Sequence, residues 1–423
     1  MRILYDISTL GFGHLYAQSR GGAYRADLHI SEGLAASETC ELFFCANHSA
    51  VAYHGCEAFL RQHGRLSAVP LIAPPTSSGR AALRAAASAA HAGARRLFGS
   101  NVLPSSVRRV ASFLDKRLHA RVAGTDAVDV FHSSPSAPLP AATAGRSHQR
   151  FMTLWDLAFI RFPDLYGAPY RRYLLDALRS LRPGDNIITT SKFVRDEVLA
   201  EGVASADRIH IVPLAADRNI FYRCEDVDRI GTIRRKYAIP PGPYVLGVNT
   251  PDRRKNVPHA IHSFARAACE SGTAVGSLVL SGHDGPASEE IRRAIDQYPE
   301  LRDRIILTGF VPDADLAPLY TGATLFVYTS IYEGFGLPPL EAMQCGTPVI
   351  TSNTSSMPEV VGDGGVMLAP DDYEGLSGAI VDLARDTGRR SLLRQRALEQ
   401  ASRFSWEAST AAILRAYRAA LES

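Results

Sequence analysis

The glutamates Glu333 and Glu341 carry the chain's strongest chemical signal. They stand in Tyr332-Glu333-Gly334-Phe335-Gly336-Leu337-Pro338-Pro339-Leu340-Glu341, which runs on through Ala342-Met343-Gln344-Cys345-Gly346. Pro338 and Pro339 suit the first turn of a helix, where an N–H group has no partner to lose. Gly346 suits the end of that helix. A helix start preceded by glycines presents bare amides and the positive end of a dipole, which is a ready seat for a diphosphate. The E-x7-E spacing is about two helical turns, so both carboxylates can face one cleft. Two unrelated surface glutamates would show the same spacing. The Gly-Phe-Gly-Leu-Pro-Pro setting is what makes the signal specific. One carboxylate could hold sugar hydroxyls and the other ribose hydroxyls. Gly334 and Phe335 stand in the loop before that helix, and the amides of Gly336 and Leu337 would face the diphosphate.

A second cluster, Arg253-Arg254-Lys255-Asn256, follows the apolar run 244–249. Cations at a strand end can neutralise a leaving diphosphate, Arg through paired hydrogen bonds and Lys as a point charge. A solvated charge run is the alternative. In the first half, Gly21 and Gly22 precede a helical stretch that contains Arg25. Paired glycines there allow close backbone approach to a phosphate or sugar, although an unliganded turn fits too. Asp156 follows the run 151–154 and suits an acceptor-side carboxylate that orients or deprotonates a hydroxyl. It would equally cap the next helix. Ser191 and Lys192 sit where another strand gives way to a helix, a place that faces a cleft in parallel α/β folds. Asp313-Ala314-Asp315 has the D-x-D form of a metal pair, but its place before a helix favours capping, and no metal is expected.

These residues need a scaffold that brings strand ends together. Short apolar runs alternate with helical stretches at 2–7, 42–46, 128–132, 151–154, 186–190 and 209–213. The alternation resumes at 244–249, 277–281, 304–308, 324–329, 347–352 and 365–368. Strand-then-helix repetition predicts parallel sheets covered on both faces. The stretch 217–243 carries mixed charge and ends in Ile239-Pro240-Pro241-Gly242-Pro243, which reads as a connection between domains. A final amphipathic helix carries Trp406, Ile413, Leu414, Tyr417 and Leu421 at helical spacing.

With 423 residues the chain exceeds one ordinary core, and 46% hydrophobic with 21% charged residues is the balance of a globular protein. A net charge of +3 is too small to imply nucleic acid. The six cysteines form no CxxC pair, so reduced thiols of a cytoplasmic protein are expected. Met1 and Arg2 run straight into the first apolar stretch, so no signal peptide is expected, and no apolar run reaches membrane-spanning length. The stretch 74–121 differs: it is rich in Ala and Arg, and Asp115 is its only acid. Such a stretch fits peripheral contact with an anionic membrane, or a solvated helical insertion. Few aromatic residues stand there to stack on bases, which argues against nucleic acid.

Taken together, Thr324–Ile350, IILTGFVP at 305–312 and SNTSSMPEVVGDG at 352–364 resemble the retaining glycosyltransferase family 4, of the GT-B fold. The likeness is close over most of 244–401 and looser before it. It implies an α/β chain of two Rossmann-like, doubly wound domains facing a central cleft, with a C-terminal helix crossing back. We expect an acceptor domain over 1–225 with an insertion at 74–121, a nucleotide-sugar domain over 226–405, and the helix 406–423. The resemblance implies transfer of a hexosyl group, mannosyl first, from a nucleotide-diphosphate sugar with retained anomeric configuration. The acceptor would be a glycan or lipid-linked saccharide of bacterial polysaccharide synthesis. It further implies no metal and no cofactor beyond the donor. GDP-mannose is the first donor by resemblance, with UDP-sugars next. A nucleotide-sugar epimerase and a non-catalytic carbohydrate-binding protein are the alternatives. Gly309 and Val311 match a family loop that borders the nucleobase, and His132 matches a His-Ser-Pro stretch near the diphosphate, with a packed strand-end histidine as the alternative. Arg254, Lys255 and Asn256 match the family's Arg-Lys-Asn. Asn249, Arg253 and Trp155 depart from the family's usual Gly, Pro and His, which removes any histidine-dependent role beside Asp156.

Overall fold

Apolar runs such as Ile3-Leu4-Tyr5 and Leu278-Val279-Leu280 have no polar alternation, so their strands must be covered on both faces. The computed structural model describes residues 1–15, 21–46, 50–72, 128–133, 149–248, 252–282 and 288–423. The basic stretch 74–121, and with it the expected membrane contact, falls outside them.

The first sheet contains β1 (Arg2–Asp6), β2 (Glu41–Cys45), β3 (Val130–Ser133), β4 (Gln149–Leu154), β5 (Asn186–Thr189) and β6 (Ile209–Ile211). All pairings are parallel, in the order β2-β1-β3-β4-β5-β6. The second contains β7 (Tyr244–Val248), β8 (Ser277–Ser281), β9 (Ile305–Gly309), β10 (Leu325–Tyr328), β11 (Val349–Ser352) and β12 (Gly365–Leu368). It is also parallel, in the order β12-β11-β10-β7-β8-β9. Helices cover both sheets, which is the doubly wound α/β architecture the alternation predicts. Strand ends shift from the apolar runs for local reasons. Pro213 has no N–H for a ladder, and β6 stops short of it.

In each sheet the strand order reverses beside its first strand, between β1 and β3 and between β7 and β10. Loops leaving the carboxyl ends of strands diverge at such a point and open a crevice. In the second sheet those loops hold Asp252–Lys255 after β7 and Ser330–Gly336 after β10. The sequence thus places its two strongest motifs at one switch point.

Apolar packing links the two halves. One core cluster joins Ala26, Leu214 and Ala216 to Phe335, Leu337 and Leu340. The last helix, Trp406–Glu422, returns to the first sheet. Ser405 caps it by accepting from Ala408 N at 3.1 Å. Ile413 and Tyr417, four residues apart on one face, pack with Ile3, Tyr5 and Phe151. Among the described residues no helix is long and apolar enough to cross a membrane.

Candidate active site

The helix Leu337–Gln344 begins at Gly336, whose φ of 109° is a left-handed conformation that favours glycine. No side chain caps this start, and Pro338 and Pro339 carry no N–H, so the amides of Gly336 and Leu337 are the ones left for an outside acceptor. Gly334 packs tightly against the first half. A Cβ there would lie 1.9 Å from Trp155 O, so only glycine fits. Its carbonyl accepts from Thr190 Oγ1 at 2.9 Å and from Ser191 Oγ at 2.8 Å.

Glu333 is buried below this loop. Its Oε1 accepts from Lys255 Nζ at 2.5 Å, Ser330 Oγ at 2.6 Å and Tyr328 OH at 2.7 Å. Burial alone would raise its pKa, but Lys255 and Arg254 outweigh burial and hold it below the usual glutamate value. Arg254 is clamped between acids. Nη2 and Nε reach Asp252 Oδ2 at 2.6 and 2.9 Å, and Nη1 lies 3.3 Å from Asp156 Oδ2 across the gap. Burial opposes its charge, yet Asp156 and Asp252 raise its pKa above the ordinary arginine value. Arg253 turns away and pairs with Glu290 at 2.6 Å, so two of the three expected cations reach the site.

From the first domain, Asp156 Oδ1 accepts from Ala158 N at 2.9 Å while Oδ2 lies 3.3 Å from Arg254 Nη1. Gly21 precedes the helix Gly22–Ala35, and a Cβ on Gly22 would lie 3.2 Å from Leu337 Cδ1. Arg25, one turn on, reaches Glu341 Oε1 at 3.2 Å and Asp313 Oδ1 at 2.8 Å. Ser191 caps the helix Lys192–Ala200 by accepting from Val194 N at 3.2 Å. The amides of Lys192 and Phe193 each donate to Glu359 of the second domain at 2.8 Å.

Several expected site residues sit elsewhere. His132 is fully buried under the last helix, with Nδ1 2.5 Å from Tyr417 OH and Nε2 2.7 Å from Thr153 Oγ1. Burial pushes its pKa down to about 3, so it is a neutral packing residue and not a diphosphate ligand. The side chains of Phe335 and Val311 belong to the apolar core, which leaves only their backbone for a ligand. Gly309 ends β9, the edge strand of the second sheet, with φ at 67°. Glu341 is paired with Arg25 and not open on all sides. Asp313 and Asp315 do not cap their helix. Asp313 pairs with Arg25, while Asp315 accepts from Lys236 at 2.5 Å and from Tyr237 at 2.7 Å.

Tyr332, Glu197 and Glu359 join the halves without a local signal in the sequence. Tyr332 OH accepts from Leu157 N at 3.0 Å and donates to Glu197. Glu359 covers the helix start at Lys192. Tyr332 and Glu359 lie inside segments that carry the family resemblance, so their positions were visible and their partners were not.

Residues 230–401 match the family described as Glycosyl transferases group 1. The chain is 33% identical to O-antigen chain mannosyltransferase B of Escherichia coli, over 69% of this chain and 75% of that protein. It is 30% identical to the serotype-specific mannosyltransferase WbdA of Escherichia coli over 56% of this chain, a match that spans only 29% of WbdA. In fold it is similar to sucrose-phosphate synthase from Thermosynechococcus elongatus, with a TM-score of 0.69 and 19% identity over 99% of this chain and 98% of that one. With two facing parallel sheets, an uncapped helix start at the switch point, and a relative matched across three quarters of its length, the chain belongs to the group 1 glycosyl transferases, on the GT-B fold.

Proposed function

We propose that this glycosyltransferase moves a mannosyl residue, with retention, from GDP-mannose to a saccharide acceptor of a bacterial surface polysaccharide. The observation that carries the chemistry is the grouping of Lys255, Glu333 and the uncapped helix start at one switch point, with Asp156 opposite. The sugar and the acceptor class are supported by the mannosyltransferases to which the chain is similar.

Departure of a nucleoside diphosphate concentrates negative charge on its terminal phosphate. Arg254, Lys255 and the amides of Gly336 and Leu337 are the donors placed to receive it, and they need no reorganisation as the bond breaks. Their partners Asp252, Asp156 and Glu333 keep them oriented. Glu333 spends Oε1 on protein donors and turns Oε2 to the hydroxyls of the transferred sugar. Glu341 accepts from the ribose. Asp156 orients the acceptor hydroxyl or takes its proton. The apposed halves exclude water, which favours transfer over hydrolysis. Two cations at the leaving group, together with Asp313 and Asp315 committed to Arg25, Lys236 and Tyr237, support a reaction without a metal ion.

The test is a panel of GDP-, UDP-, ADP- and dTDP-sugars with a mannose-terminated acceptor, in the presence and absence of a chelator. Release of GDP only when acceptor is present, unchanged by chelation and giving an α-linked product, supports the proposal. An altered donor sugar without transfer refutes it.

A further inference from the structure

Arg25 leaves the first turn of the helix Gly22–Ala35 and crosses to the second domain. Its guanidinium carbon lies 5.2 Å from the centroid of the Phe221 ring. One arm of the fork reaches Glu341 Oε1 at 3.2 Å and the other reaches Asp313 Oδ1 at 2.8 Å. Glu341 is buried, whereas the Asp313 side chain is 58% exposed. The aromatic ring below and the exposed acid beside it fix the guanidinium plane, so its other arm points at the buried carboxylate. Among the described residues, no donor engages Glu341 Oε2.

A carboxylate in this position is hard to keep ionised. Burial raises Glu341 to about 7, with Arg25 pulling down and Asp313 pushing up. Tyr320 and Cys345 also face it, so Arg25 is the cation among its titratable neighbours. An ionised acceptor makes a stronger hydrogen bond to a hydroxyl than a neutral acid does.

We propose that Arg25 is a positioning residue for nucleotide capture: from the first domain it holds Glu341 of the second as an oriented carboxylate whose free oxygen takes the ribose hydroxyls. The role rests on the assignment of Glu341 to the ribose. Its consequence is that the ribose is read only when the two domains are together, because half of the reading device belongs to each. Nucleotide recognition and domain closure become one event.

The test is calorimetric titration of the full chain with GDP and with 2′,3′-dideoxy-GDP, from about pH 6 to about pH 9, a range that brackets a raised carboxylate. Wild-type protein should prefer GDP by about ten-fold or more once the pH passes the value of about 7 at which Glu341 ionises, the scale of a charge-assisted hydrogen bond. Arg25→Gln should move the onset of that preference to higher pH, losing most of it just above neutrality and regaining part of it towards about pH 9 as Glu341 ionises unaided. Arg25→Lys, which restores charge without the fork, should fall between the two. Glu341→Gln should lose the preference at every pH, and adding Arg25→Gln to it should cost nothing more. Arg25→Gln with the wild-type preference throughout, or with a loss that adds fully to that of Glu341→Gln, overturns the role of Arg25. Wild-type protein that binds GDP without any preference for the ribose hydroxyls overturns the assignment of Glu341, and this role with it.

Discussion

Glu333 shows how one side chain can serve structure and chemistry together. Lys255, Tyr328 and Ser330 all donate to Oε1, so the carboxylate cannot rotate without breaking a charge-assisted bond. Glu333→Gln keeps the shape and removes the charge. Turnover should fall by roughly 100-fold or more, the scale of losing one preorganised electrostatic contact, while the fold persists. Steady-state assays with circular dichroism on the same samples check both halves of that statement. His132 gives a contrasting expectation, because its role is packing. Its folded pKa of about 3 lies below the ordinary 6.5, so the unfolded chain binds the extra proton between these values. Stability should therefore fall as pH drops through that window, by about 1.4 kcal/mol per pH unit from this residue. Urea unfolding of wild-type protein and His132→Gln across that range should show a shallower slope in the variant. Equal slopes would place His132 in contact with solvent.

At the scale of elements, the strands were readable because strands buried on both faces appear as unbroken apolar runs. Their ends fall within two residues of those apolar runs. The helix Leu337–Gln344 was readable from Pro338, Pro339 and Gly346 alone. What could not be read is whatever depends on a partner far along the chain. His132 is buried by Tyr417, Arg25 meets Glu341, and Asp156 meets Arg254. No local spacing encodes those pairs. For the same reason Phe335 and Val311 looked like loop residues near a ligand, although the core closes over their side chains. Glu359 belongs to this hidden class. It occupies the start of the helix Lys192–Ala200 from the other domain, where a carboxylate satisfies two amides and meets the positive end of the dipole. Glu359→Ala should weaken the joined state more than the fold. The expected result is a drop of about ten-fold in kcat/KM, as loss of about 1.4 kcal/mol gives. The melting temperature should shift only slightly, and small-angle scattering should report a larger radius. Unchanged activity with an unchanged radius would remove Glu359 from the joining of the domains.

For the whole molecule, the architecture divides the work. The second sheet brings cations and a helix start to its switch point, and the first brings Asp156, Gly22 and Arg25 to face them. The chain passes between the halves after β6 and again before the helix Trp406–Glu422. His29 touches both passages, with Nε2 3.2 Å from Asp217 and its ring stacked on Trp406 at 4.6 Å. The returning helix buries Ile413 and Tyr417 in the first core, so the second domain is tethered at two places and its approach is guided. Such a frame suits a reaction in which a charged leaving group must be gripped and water excluded in one motion.

Transfer depends on Lys255 gripping the diphosphate beside the uncapped helix start. The most direct measurement is the affinity of the full chain for GDP, by calorimetry, in wild-type protein and in Lys255→Ala. Loss of one charge-assisted contact predicts weakening of about 10- to 100-fold in the variant, with its fold intact. Equal affinity in the two proteins would contradict the account.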